Sequence, residues 1–168
     1  WLHGRSEFQE MVNVPLMVTG PGIPIGIVVE HPVQLIDLLP TVQSWIGSNA
    51  KIMTHGSILQ MYALPEDEAE FGKRFVYSHR PREDHPIDMI RSESLKLIVI
   101  EDGDKKTRLL YNLAQDPSES KNLLDDDTAD LDAELEALML RLKLLQTLAI
   151  SSSRGGAEKV QLSKRMEQ

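Results

Sequence analysis

The sequence predicts an α/β chain in two parts. The first is a strand–loop–strand–helix segment over residues 1–50, and the second, over 74–150, is a small antiparallel sheet subdomain packed on a helix. Three observations lead there. Apolar β-rich runs precede a helical apolar stripe in the first part, which is α/β grammar. Short apolar runs separated by tight turn signals open the second part, and strands joined so closely must be antiparallel. Leu131, Leu135, Leu138, Leu142, Leu145 and Leu148 then recur at spacings of three and four, one face of a helix.

In the first part, Val14 to Thr19 is an apolar run in which Pro15 suits the opening of a strand, where a missing N–H costs least. Gly20-Pro21-Gly22 breaks it. Ile23 to Val29, interrupted by Pro24 and Gly26, reads as a loop leading into a short strand, and Val33 to Ile36 follows. Asp37 stands where a helix N-cap belongs, with Pro40 in the first turn. Leu38, Leu39, Val42, Trp45 and Ile46 form the helix's apolar face, with Trp45 expected in the core, and Gly47 stops it. Residues 51–73 form a connecting segment, with a short helix expected over Ser57 to Leu64 and an acidic loop over Glu66 to Glu70.

The second part predicts strands at Arg74 to His79, Ile87 to Arg91, Leu95 to Ile100 and Arg108 to Tyr111. Ser92-Glu93-Ser94 and Asp102-Gly103-Asp104 supply the turns. The Leu-striped helix is expected at about 128–149, with Asp125-Asp126-Asp127 as a solvated cap that suits its dipole. Residues 151–168 read as a polar tail.

The 168 residues suit one domain or slightly more. A net charge of −8 and a pI of about 5.1 exclude nucleic acid as the main partner, because the chain offers no general attraction for phosphate backbones. No apolar run approaches a membrane span. The absence of Cys excludes disulfides, thiolate metal sites and a cysteine nucleophile from these residues. A chain opening at Trp1 is expected to be a piece of something longer.

Several stretches resemble the sulfatase family of the alkaline-phosphatase-like superfamily, in order. They are His3-Gly4-Arg5-Ser6-Glu7-Phe8-Gln9-Glu10 with Asn13-Val14-Pro15-Leu16-Met17-Val18 and Gly20-Pro21-Gly22, then Gln34 to Val42 with its Asp-Leu-Leu-Pro-Thr core. Ile90 to Ile98 follows, with Leu95 where the family has Tyr, and then Leu110-Tyr111-Asn112-Leu113, Asp116-Pro117-Ser118-Glu119 and Lys121-Asn122-Leu123. Lys164 to Gln168 is similar to the start of the family's ending. The resemblance implies the C-terminal part of an alkaline-phosphatase-like α/β sandwich, with residues 1–50 at the end of its large domain.

It also implies a parent that hydrolyses sulfate esters of small molecules or glycans, with calcium as its metal. The family's formylglycine motif and its metal-binding pairs have no match here, so this chain is expected to be inactive alone and to bind no metal. Ser78-His79-Arg80-Pro81-Arg82 imitates the nucleophile motif with its Pro one place late, and Asp125 to Asp127 imitates a metal pair. One catalytic position remains: His3 falls on the family's sulfate contact, with Arg5 as a weaker candidate for the same charge. His31, His55, His79 and His85 lack mutual metal spacing, though His79 and His85 flank a loop that would edge the parent's cleft. Arg91 and Lys96 read as strand-face ion-pair residues. A related phosphodiesterase or phosphonate hydrolase, and a non-catalytic interaction module, remain the alternatives.

Overall fold

The computed structural model describes residues 6–48, 56–59, 74–81, 85–126, 131 and 133–148. The chain divides into two compact units, the first ending at Asp125 and the second beginning at Asp126. The centre of the first unit is a four-stranded antiparallel meander in sequence order, β1 (Val76–Arg80), β2 (Ile87–Arg91), β3 (Leu95–Asp102) and β4 (Lys105–Asn112). Each strand predicted for the second part is present, and β3 and β4 run longer than the apolar residues alone suggested.

The turns act as the composition predicts. Ser92 caps the β2–β3 hairpin, its amide reaching the Leu95 carbonyl at 2.8 Å while its hydroxyl accepts the Leu95 N–H at 3.0 Å. Asp102 pairs with Lys105 across Gly103-Asp104. Gly103 sits at φ +57°, in the left-handed region such a two-residue turn requires.

Register assigns the two faces. Ile87 and Met89 align with Ile100 and Ile98, which align with Thr107 and Leu109, so these residues share one face. There Ile87, Met89, Ile98, Tyr111 and Leu113 form the core, flanked by Phe8, Val12, Ile100 and Leu109. Phe8 and Val12 belong to the stretch around a short helix, α1 (Gln9–Val12), and the Phe8 and Tyr111 rings meet at 6.0 Å in a tilted arrangement. Tyr77, His79, Asp88, Ile90, Leu97, Val99 and Leu110 share the opposite face. Ile90, Leu97 and Leu110 are fully buried. Asn122 then receives the Leu110 amide at 2.9 Å, fastening the turn Leu123–Asp125 beside β4.

The first fifty residues depart from the expected strand–loop–strand order. Val14 to Thr19, Ile23 to Val29 and Val33 to Ile36 pair with no strand among the described residues. Val14, Met17, Ile25 and Val28 are well exposed instead. A strand is completed by a neighbour's amides and carbonyls, and an apolar run alone does not supply them. The helix is present as α2 (Leu38–Trp45), preceded by a 3₁₀ turn over Leu35–Asp37. Its apolar face is exposed, including Trp45 at 43%, so Trp45 is not a core residue here.

The buried residues of the 3₁₀ turn and of this helix are polar. Asp37 and Thr41 are both 0% exposed. Asp37 makes no side-chain cap to α2; its carboxylate reaches back to the Gln34 amide at 2.8 Å, capping the 3₁₀ turn. The same carboxylate receives the Ser57 amide at 2.8 Å and Arg74 Nη2 at 2.5 Å. Thr41 Oγ1 donates to the Asp37 carbonyl and accepts the Leu59 amide at 2.9 Å. The Asp-Leu-Leu-Pro-Thr stretch is therefore a polar hub that gathers three chain segments.

In the second unit, a helix α3 spans 133–148. Its Leu stripe holds, with Leu138 and Leu142 buried and Leu135 and Leu145 partly so, but Leu131 precedes the helix and Leu148 is exposed. The expected start at 128, the polar tail, and the helix beyond Leu59 lie outside the described residues.

Candidate functional site

His3 and Arg5, the two predicted sulfate contacts, lie outside the described residues, as does His55. The structure does describe the stretch that follows them, and it is anchored by a buried ionic cluster. Lys96 is fully buried in β3, where alternation places it beside Arg91 of β2 and Tyr111 of β4. Its ammonium meets Glu119 Oε1 at 2.6 Å and Gln9 Oε1 at 3.5 Å. The other Glu119 oxygen receives the Gln9 amide, the first N–H of α1, at 2.5 Å. Glu7 is buried nearby, so two carboxylates and two cations share the site.

Local sequence explains how Glu119 arrives there. Asp116-Pro117 ends the strand, and the Asp116 carboxylate gathers the Lys121 amide at 2.9 Å and the Ser118 and Ser120 hydroxyls at 3.0 Å. Those bonds, led by the Lys121 amide, hold Asp116 below its usual carboxylate range. The tight loop leaves Glu119 at φ +55°, a left-handed conformation that non-Gly residues adopt at a cost. The bend turns its carboxylate inward to Lys96.

Burial pulls the Lys96 ammonium below its ordinary range, and Glu119 offsets part of that pull. Arg91 follows the same logic, lowered by burial and raised by Glu119. Burial, then Glu119, pushes the Tyr111 phenol up. The expectation that Lys96 is a strand-face ion-pair residue holds, but the pair is buried rather than solvated. Sequence reasoning missed Glu119 and Gln9. The available signal was a lysine in an otherwise apolar strand, which demands a buried anion.

On the opposite face, Asp88 is buried and accepts from the Tyr77 hydroxyl at 2.9 Å and lies 2.8 Å from His79 Nδ1. Burial, then Asp88, pushes the Tyr77 phenol far above its ordinary value, so it remains a donor. His85 lies 3.2 Å from Asp102, and His31 lies 3.9 Å from Glu93. Among the described residues no three His, Asp or Glu side chains converge to hold a metal, and no helix is long and apolar enough to cross a membrane.

The four-stranded meander, its ionic anchor and the polar-centred helix all lie within the stretch that matches a sulfatase C-terminal family. Residues 1–145 match the family described as N-sulphoglucosamine sulphohydrolase, C-terminal, and the chain belongs to that family. Over 141 residues it is 30% identical to Arylsulfatase K of Danio rerio, an alignment covering 80% of this chain and 27% of that protein. Arylsulfatase K of Homo sapiens is 26% identical over 152 residues, with the same coverage of 80% and 27%. The chain thus spans about a quarter of the length of these relatives. In fold it is similar to a protein solved in complex with its substrate D-glucosamine-2-N,6-O-disulfate, with a TM-score of 0.55 and 22% identity over 66% of this chain and 23% of that one.

Proposed function

We propose that this chain forms the C-terminal part of a sulfatase that hydrolyses sulfate esters carried on sugars. The observation that carries the reading is the family match over residues 1–145, which takes in both the α2 segment and the sheet. The sulfated glucosamine bound by the structural relative supports a sulfated glycan as substrate.

Within that enzyme, His3 is the proposed sulfate contact and Arg5 the second choice. Cleavage of a sulfate ester loads negative charge onto the departing oxygen as the S–O bond breaks. A donor fixed there stabilises the transition state more than the ground state. His3 precedes by a few residues the Glu7–Gln9 stretch that Lys96 and Glu119 hold, so the buried cluster gives this stretch a rigid footing. The nucleophile and the calcium implied by the resemblance need residues other than the described ones, among which no cluster fits a metal.

The test is His3→Ala in the intact sulfatase, assayed with a sulfate ester and a matched phosphate ester. Removing one such donor is expected to lower kcat about 10²–10³-fold with the fold retained. A change below about threefold, well short of one lost donor, removes His3 from the site and makes Arg5→Ala the next variant. Faster wild-type turnover of the phosphate ester replaces the sulfatase reading with a phospho-hydrolase.

A further inference from the structure

The Lys96 cluster explains itself as an anchor; the array on the other face of the sheet does more than hold strands together. His79 and Asp88 are register partners across β1 and β2. The Asp88 side chain is 5% exposed, whereas that of His79 is 41% exposed. Tyr77, two residues before His79 on the same face, donates to the same Asp88 oxygen that meets His79 Nδ1. The Tyr77 and His79 rings lie nearly parallel, 8° apart, with centroids 6.5 Å apart. A buried carboxylate, a phenol and a stacked ring thus fix one imidazole that itself reaches solvent. With Nδ1 held by the carboxylate, Nε2 is the open ring nitrogen, and no described residue bonds to it. Orienting one imidazole nitrogen through the other is how proteins prepare a histidine to meet a ligand.

The outer edge of β1 meets the 3₁₀ turn before α2 through the Tyr77 amide and Gln34 Oε1 at 3.0 Å, and Asp37 binds Arg74 just before the strand. The array therefore stands on the edge strand that adjoins the turn before α2. Arg80 Nη2 donates to the His85 carbonyl at 3.2 Å, across the adjoining loop of mixed charge.

We infer that His79 is a substrate-contacting residue, its Nε2 forming a hydrogen bond with an oxygen of the sulfated sugar outside the ester being cleaved, and that Asp88 is its positioning residue. This rests on the sulfatase reading above. An imidazole backed by a carboxylate also suits a metal ion, but a metal needs about three or four protein ligands, and no such group converges among the described residues.

The experiment uses the intact sulfatase with glucosamine 6-sulfate and with 4-nitrophenyl sulfate, which has no sugar. His79→Ala is expected to reduce kcat/KM on the sugar about tenfold more than on the aryl ester, mostly through KM, as loss of one hydrogen bond does. His79→Gln restores part of the difference, because a carboxamide still offers a hydrogen-bonding group. Asp88→Asn shifts KM in the same direction as His79→Ala. Melting temperatures within about 2 °C of wild type show that the half-exposed His79 variants fold. Equal losses on the two substrates overturn the inference, as does zinc binding by calorimetry that His79→Ala abolishes. Wild-type turnover of phosphate but not sulfate esters overturns the sulfatase reading and this inference together, whereas sulfate turnover indifferent to His79 overturns this inference alone.

Discussion

Lys96 stands inside Leu95-Lys96-Leu97-Ile98, a run that otherwise asks only for burial, and the fold buries it completely. Its partner, Glu119, comes from a loop 23 residues later in the sequence (119 against 96), so no local pattern announces the pair. Removing one member of such a pair strands the other charge, at a cost of about 3–5 kcal/mol. Lys96→Met is expected to cost that much in urea unfolding, and adding Glu119→Gln should recover part of it. A loss under about 1 kcal/mol would mean the pair is solvated. Asp116 gives a pH-dependent counterpart. Its folded pKa is depressed below the ordinary 3.8, so its contribution is fully present above that value and is lost as pH falls through the folded value. The stability gap between wild type and Asp116→Ala should close across that acid window; a gap that persists below it contradicts the assignment. Gly56 is the third instructive residue. A Cβ there would lie 2.0 Å from the Ile36 carbonyl oxygen, so Gly56→Ala must displace the backbone around the Asp37 hub and is expected to lower the melting temperature. An unchanged melting temperature would show that the hub yields freely.

At the level of elements, legibility in the sequence followed the range of the interactions. The four strands were readable because alternation and Ser92-Glu93-Ser94 or Asp102-Gly103-Asp104 turns act within a few residues. The expected strands at 14–36 failed because pairing depends on a neighbour, which local composition does not reveal. Asp37 was legible as the residue that precedes α2, but its carboxylate turns away from that helix to Gln34 and to Arg74, 37 residues on, so the hub was not. The His79–Asp88 contact was in principle readable, since the β1–β2 hairpin register places the two opposite each other once both strands are drawn. For α3 the period of the leucines located the stripe, and burial is greatest at its middle, Leu138 and Leu142. Leu138→Asp would place an unpaired charge at the buried middle of this stripe and is expected to unfold the helix's own unit. A variant melting within about 1 °C of wild type would show that the stripe does not depend on Leu138 being buried.

For the molecule as a whole, most of the exposed large apolar side chains among the described residues fall in one stretch of sequence. Val14, Leu16, Met17, Ile25, Ile27 and Val28 are all at least 45% exposed, and Leu39 and Val42 of α2 and Ile46 just after it add to them. Single exposed apolar residues are ordinary, but so many within residues 14–46 give this stretch a tendency to associate. The extended runs also leave backbone amides and carbonyls without ladder partners, which favours pairing with another chain. The net charge of −8 opposes association at long range, but it is screened beyond about 8 Å at physiological salt. Apolar burial should therefore prevail at close range. This chain, purified by itself, is expected to bind a hydrophobic dye and to self-associate with rising concentration in sedimentation velocity, more strongly in high salt. Met17→Glu combined with Val28→Lys places charges on that surface without touching the sheet, and should reduce both signals while leaving the melting of β1–β4 unchanged. A wild-type chain that sediments as a dye-silent monomer at all concentrations would show that residues 14–29 fold back on themselves, and the surface would then be no site of association.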